Sequence, residues 1–380
     1  MDTMEKNPSG QAEIRVAFVH DFLVSYGGAE RVLESLMKLY PDAPIYTLLY
    51  DECVMDGRFS GREIRTSFLQ KLPAFLRKRY RALLLFFPIA VEAFDLRDFD
   101  LAISSSGAWS KGVVTRLKTR HIAYLHSPMR LLWDANERYL QVVRAGWFGK
   151  FFGRMILSYL RIWDAQAADR PDVLVSNSEY TVRRAKKYYR RESEVIYPPI
   201  TIRSAGNHSG KEGFFLVVSR LTESKGIETA VAAFNKLGLR LVVVGDGRER
   251  KRLERMADEN ISFLGRVDDA MLADLYSKAT AVVVPSEEDF GMAAAEALAS
   301  GTPAIVLGRG GALEVVEAGV TGEFFRSDTP EVLADAVRRF LEKGATRYEP
   351  GCREAAGRFS EERFLSEWKR IIASVMHENR

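Results

Sequence analysis

The chain has 380 residues, 47% hydrophobic and 28% charged, with a net charge of +4. That length exceeds one ordinary core and predicts two domains of similar size, and the composition is that of a soluble globular protein rather than a fibrous or disordered one. No apolar run reaches the length of a membrane span, and two distant cysteines, Cys53 and Cys352, fit a reducing compartment without a disulfide or metal framework.

Residues 1–13 are polar and read as a disordered leader with no secretory signal. Residues 14–19 form a first apolar strand. A loop with Gly27 and Gly28 follows and opens an amphipathic helix to about residue 40. A strand, a glycine turn and a helix make a phosphate-cradling arrangement, although a plain tight turn explains a glycine pair equally well. Strand-like runs at 45–49, 101–104, 121–125 and 173–176 alternate with helical stretches. That alternation predicts a parallel sheet with helices on both faces. Asp98 and Asp100 match an Asp-x-Asp metal motif by letter. They precede a strand, away from the carboxyl edge where such sheets bind ligands, so they read as a solvated turn.

Two segments mix basic residues with large aromatics. Segment 65–87 holds Phe68, Phe75, Phe86 and Phe87 among Lys71, Arg77, Lys78, Arg79 and Arg81; segment 144–163 holds Trp147, Phe148, Phe151, Phe152 and Tyr159 among Lys150, Arg154 and Arg161. Such mixtures suit an anionic membrane interface, and equally a helix with an apolar core face and a basic solvated face. Nucleic acid uses similar residues. The near-neutral charge and the lack of a recognition module argue against that partner. His126 follows the run 121–125 in a turn containing Pro128, a place from which it faces either a ligand or the core.

Pro198 and Pro199 close the first half, and residues 202–212 read as a linker. Alternation restarts at 214–218. The next strand-to-helix loop carries Arg220 and Lys225, two cations able to bind a diphosphate. Runs at 241–244 and 261–267 follow. The most informative stretch is 282–303: a β-branched strand ended by Pro285, an acidic loop with Glu288, then an alanine-rich helix closed by Gly301 and Pro303. The strand delivers Glu288 to the carboxyl edge of a sheet. The helix points N–H groups near Phe290, Gly291 and Met292 at the same place, and Glu296 lies just inside it. Carboxylates accept hydrogen bonds from sugar hydroxyls and helix N–H groups favour anionic oxygen, so a nucleotide sugar suits both. A solvated Glu288 and a dipole-balancing Glu296 are the ordinary alternative. A strand near 303–307, helices at 329–343 and 360–377, and the aromatics Phe364 and Trp368 complete the chain.

In order, Ser219-Arg220-Leu221 with Lys225-Gly226, Val244-Gly245-Asp246-Gly247, Phe263-Leu264-Gly265-Arg266-Val267 and the Glu288-x7-Glu296 pattern around Phe290-Gly291 resemble a family 4 retaining glycosyltransferase. The likeness spans nearly the whole chain. It implies the α/β GT-B fold, two Rossmann-like domains facing a cleft: residues 14–201 on the acceptor side, 213–359 binding the nucleotide sugar, and a helix over 360–380 crossing back to the first domain. Gly27-Gly28-Ala29-Glu30-Arg31 and the stretch 124–130 resemble bacterial mannosyltransferases that build O-antigens and exopolysaccharides from GDP-mannose. Met292-Ala293-Ala294-Ala295 departs from that subgroup, which often carries Ile-Val-Pro-Val, and leaves UDP-glucose, GDP-fucose or a dTDP-sugar as alternative donors; a non-catalytic nucleotide-sugar-binding subunit is a separate alternative, against which the intact Arg220, Lys225, Glu288, Glu296 and His126 argue.

The resemblance implies that Arg220 and Lys225 hold the donor diphosphate, Glu288 the sugar hydroxyls beside the N–H groups of Phe290, Gly291 and Met292, and Glu296 the ribose. It places the main chain near Arg266 and Val267 at the base, Gly27 and Gly28 at the phosphates and His126 near the reacting carbon. It implies no cofactor and no metal, and retention by front-face attack with the leaving phosphate as base. It also gives the basic-aromatic segments a reason: a polyprenyl-diphosphate-linked glycan acceptor would draw the protein to the cytoplasmic face of the inner membrane.

Overall fold

A computed structural model describes residues 14–134, 147–202 and 210–377. The leader expected over 1–13 and linker residues 203–209 lie outside the described residues, as do residues 144–146 of the second basic-aromatic segment. The chain divides into two units. One comprises Met1–Asn177, Thr181–Ile196 and Leu365–Arg380; the other comprises Ser178–Tyr180 and Tyr197–Phe364.

The first unit is built on a seven-stranded sheet in the order β3-β2-β1-β4-β5-β6-β7. Its strands are β1 (Val16–His20), β2 (Ile45–Thr47), β3 (Ile64–Thr66), β4 (Leu101–Ser106), β5 (Arg120–Leu125), β6 (Val173–Ser176) and β7 (Glu194–Val195), and every pairing is parallel. β1 and β4 are buried throughout, as apolar strands covered on both faces must be. One core cluster joins Ala17 and Val19 to Phe87, Trp109, Leu157, Leu160 and Trp163. The helix Glu361–His377 belongs to this unit from Leu365 onward; there the Trp368 ring lies 5.9 Å from that of Tyr124, and Arg370 pairs with Glu194 at 2.7 Å.

The second unit is built on a six-stranded parallel sheet in the order β10-β9-β8-β11-β12-β13. Its strands are β8 (Phe215–Val218), β9 (Leu241–Val244), β10 (Ile261–Gly265), β11 (Ala281–Val284), β12 (Ala304–Leu307) and β13 (Gly322–Phe325). In each sheet the strand order reverses beside the first strand of the unit: between β1 and β4 in one, between β8 and β11 in the other. The carboxyl ends of strands at such a reversal open a crevice that ligands occupy.

Some elements differ from expectation. The first helix ends at Leu36 rather than near residue 40. Tighter bonds from Lys38 to Ser35 and Leu39 to Leu36 close it, because Pro41 disfavours helical backbone at Tyr40. β3, β7 and β13 were not visible in the hydrophobic pattern. β3 and β7 are short edge strands with exposed polar residues, and β13 begins on a glycine. Asp100 does more than sit in a solvated turn: its carboxylate accepts the Arg15 backbone N–H at 3.1 Å at the start of the sheet.

Candidate functional site

In the second unit, the loops after β8 and β11 meet at the strand-order reversal. Gly226 makes that approach possible. Its φ of +62° is left-handed, and a Cβ there would stand 2.7 Å from the Pro285 carbonyl oxygen. The preceding residue, Lys225, ends a short 3₁₀ turn, Glu223–Lys225, and points its ammonium at the loop that follows β11.

There Lys225 Nζ lies 2.7 and 2.6 Å from the two carboxylate oxygens of Glu288. Ser286 Oγ donates to Glu288 Oε1 at 2.6 Å. The resemblance gave Lys225 to a diphosphate and Glu288 to sugar hydroxyls; the structure pairs the two with each other. Arg220 is exposed on the same loop as Lys225. The helix Met292–Ala299 begins behind Gly291, whose φ is +106° and which brings no side chain to cap the first N–H groups. Phe290 offers main chain only: its ring is buried and packs 5.8 Å from Tyr197 and 5.2 Å from Phe359. Ala294 and Ala295 are fully buried, so the bland alanine run is a close-packed face.

Glu296 is 6% exposed, and Tyr276 donates to its Oε2 at 2.7 Å. The Arg266 side chain is exposed, and Val267 packs partly on the core. The Gly265 carbonyl before them accepts the Gly245 N–H at 2.7 Å, which holds the ends of β9 and β10 side by side.

In the first unit, Gly27 is the residue before the helix Gly28–Leu36 and brings no side chain to cap it. His126 leaves β5 with its N–H on the Ser106 carbonyl. Its Nε2 lies 2.8 Å from Ser105 Oγ, and Asn177 Nδ2 donates to its carbonyl at 2.9 Å. Burial, reinforced by the nearby His20 and opposed by Asp21, pushes the His126 imidazole down to about 3. It is therefore neutral at physiological pH and acts by hydrogen bonding, not by charge.

Sequence reasoning assigned no role to several residues at these edges. Asp21 accepts three backbone N–H groups, from Gly107 at 2.8 Å, Trp109 at 2.8 Å and Ser110 at 2.6 Å, and so fixes the loop after β4. His20 Nε2 lies 3.4 Å from Glu30 Oε1, both residues buried. Ser286 and Tyr276 hold Glu288 and Glu296. His20, Asp21 and Ser286 each follow or end a strand, and that position was the available signal.

The basic-aromatic segments divide into two faces. Leu69, Phe87, Leu157, Leu160 and Trp163 turn inward to one shared cluster. Phe75, Phe86, Phe151, Phe152, Met155 and Ile162 are at least half exposed. The side chains of Lys78, Arg81, Trp147 and Phe148 lie outside the described residues. Among the described residues, no helix is long and apolar enough to cross a membrane.

Comparison with known proteins agrees with this architecture. A model of glycosyltransferase family 4 matches residues 26–203, and one of glycosyl transferases group 1 matches residues 200–356. The mouse alpha-1,3/1,6-mannosyltransferase ALG2 is 24% identical over 95% of this chain and 96% of its own. A GDP-mannose-dependent alpha-mannosyltransferase of Corynebacterium glutamicum is 35% identical over 32% of this chain and 30% of its own. The crystal structure of Anabaena HepE in complex with UDP and glucose superposes with a TM-score of 0.67 at 17% identity, covering 95% of this chain and all of that one. Two parallel-sheet units, two adjoining family matches and full-length structural likeness lead to one assignment: the chain is a family 4 glycosyltransferase of the GT-B fold.

Proposed function

We propose that the protein transfers a hexose, mannose from GDP-mannose in the favoured reading, to a lipid-linked glycan with retention of anomeric configuration. The observation that carries this is the Lys225–Glu288–Ser286 cluster beside the start of the helix Met292–Ala299, at the strand-order reversal of the second unit. Breaking the anomeric C–O bond leaves negative charge on the diphosphate. Lys225, Arg220 and the helix N–H groups are preorganised donors for that charge. Once Lys225 turns to the diphosphate, Glu288, still held by Ser286, can accept from sugar hydroxyls. Among the site carboxylates proposed, Glu288 stays held by Ser286, and Glu296 by Tyr276. This favours front-face attack, with the leaving phosphate taking the acceptor proton, over a covalent intermediate.

The mannose reading draws support from the mannosyltransferases among the relatives. UDP-glucose is the second reading, favoured by the UDP and glucose held in the HepE structure. The exposed aromatic face of the first unit supports a peripheral place on the cytoplasmic side of the inner membrane, where a polyprenyl-linked acceptor would lie. No metal enters this scheme, and turnover is expected to be unchanged by EDTA.

The test is a thermal-shift panel of GDP-mannose, GDP-fucose, UDP-glucose and dTDP-rhamnose with their diphosphates, followed by nucleotide-release assays. Ligands that bind only the folded chain raise its melting temperature by mass action. The largest shift with GDP-mannose supports the mannosyl reading. A shift confined to UDP compounds replaces the sugar and keeps the mechanism. Binding without turnover against any acceptor extract would indicate the non-catalytic subunit.

A further inference from the structure

We infer that Arg309, in the loop after β12, is a donor-sugar recognition residue: its guanidinium donates hydrogen bonds to hydroxyl oxygens of the hexose at the end remote from the anomeric carbon. The position of the diphosphate rests on the transfer reading above; the position of Arg309 rests on the loops of the second unit.

The loop over residues 308–311 is built onto the loop that carries Glu288. Gly310 forms a parallel bridge with Glu288, and the Gly311 N–H donates to the Glu288 carbonyl at 2.8 Å. A Cβ at Gly310 would collide with the Glu288 carbonyl oxygen and one at Gly311 with that of Asp289, so the approach needs both glycines. Arg309 stands immediately before this contact. Its N–H donates to the Leu307 carbonyl at 2.7 Å and closes a three-residue turn. The side chain is exposed and, among the described residues, has no ion pair or side-chain hydrogen bond. An arginine of this kind on an open surface is merely solvated; this one is carried on a loop fixed against the residue proposed to bind the sugar.

Strand order decides which end of the donor it meets. The sheet runs β8-β11-β12 with parallel pairings, so the three loops leave one edge side by side. Lys225 reaches Glu288 from the β8 side, and Arg309 adjoins it from the β12 side. Two strand spacings, about 10 Å, separate these flanks. A donor with its diphosphate at Lys225 and its hydroxyls at Glu288 therefore extends the carbons remote from the leaving group toward Arg309. The chemistry is complementary: Glu288 accepts hydroxyl protons, whereas a guanidinium offers five donors and no acceptor. Arg309 is thus not a third phosphate clamp. Across about 10 Å of screening solvent its charge alters diphosphate affinity by no more than about two-fold.

The experiment measures binding of GDP, GDP-mannose, UDP and UDP-glucose by calorimetry, without acceptor, to wild type, Arg309→Met and Arg309→Lys, with melting temperature as the control for folding. In Arg309→Met the nucleotide sugar that wild type prefers should bind about ten-fold more weakly, as for one lost hydrogen bond from a charged group. The matching bare diphosphate should lose no more than about two-fold. Arg309→Lys should recover part of the loss, because the charge stays and the planar fork goes. Two results overturn the inference. An equal loss for diphosphate and nucleotide sugar would make Arg309 a phosphate ligand, and an unchanged nucleotide sugar would make it a solvated surface residue; both leave the transfer reading standing. If wild type binds neither diphosphate, the transfer reading itself fails and this inference falls with it.

Discussion

Lys225→Met tests the centre of the proposed donor site, because it separates what the ion pair contributes to the fold from what the cation contributes to transfer. The Lys225 and Glu288 side chains are 23% and 21% exposed, so the pair lies between a surface bridge and a buried one. At 2.7 Å and an effective dielectric near 20, the gross attraction is about 6 kcal/mol. Desolvation removes most of that. Exposed pairs yield about 0–1 kcal/mol, and breaking a fully buried one costs about 3–5 kcal/mol. A pair at this depth, with Ser286 still donating to Glu288, is expected to cost about 1–3 kcal/mol when Lys225 is removed. For a domain of this size that is a fall in Tm of about 2–4 °C per kcal/mol.

The loss in turnover should be larger. Removing one preorganised group from the charge that develops in a transition state costs about 3–4 kcal/mol, or two to three orders of magnitude in kcat. The double variant Lys225→Met with Glu288→Gln removes the uncompensated charge, so it should recover most of the stability and none of the turnover. Calorimetry gives the first quantity, and nucleotide release from the donor gives the second. Wild-type nucleotide affinity and turnover in Lys225→Met would refute the reasoning, as would transfer regained by the double variant.

Ser286→Ala removes a 2.6 Å hydrogen bond to a carboxylate. It should weaken the nucleotide sugar about ten-fold while leaving the bare nucleoside diphosphate unchanged, with Ser286→Thr restoring affinity; calorimetry with both ligands checks this. The His126 imidazole is held at about 3 and that of His121, fully buried, at about 4, both below the usual histidine value of about 6.5. Between those values the unfolded chain binds more protons, so stability should fall as pH drops from about 6.5 toward 4. His126→Gln should flatten that slope in a Tm-against-pH series. Replacing Phe151, Phe152 and Ile162 with Ser should lower Tm by only a few degrees, since each is more than half exposed. The same change should sharply reduce sedimentation with anionic vesicles; unchanged sedimentation would return that face to an ordinary solvated surface.

What the sequence could and could not convey turns on strand order. β11 was legible because Ala281–Val284 is a β-branched run bounded by Pro285, and its position alone sent Glu288 to a carboxyl edge. The loop carrying Lys225 was legible for the same reason, from the apolar run of β8. The contact between them was not, since Lys225 and Glu288 are 63 residues apart. They touch only because β8 and β11 are neighbours while β9 and β10 lie on the other side of β8. Periodicity reports each strand's burial and says nothing of its neighbour. The first unit repeats the lesson: β1 and β4 are adjacent across the reversal, and that adjacency sets His20 beside Ser105. A glycine pair opening a helix reads equally as a phosphate turn or a plain tight turn from the sequence alone. Folding brings the carboxylate of Glu30 back against Gly27, a contact that the glycine pattern does not announce.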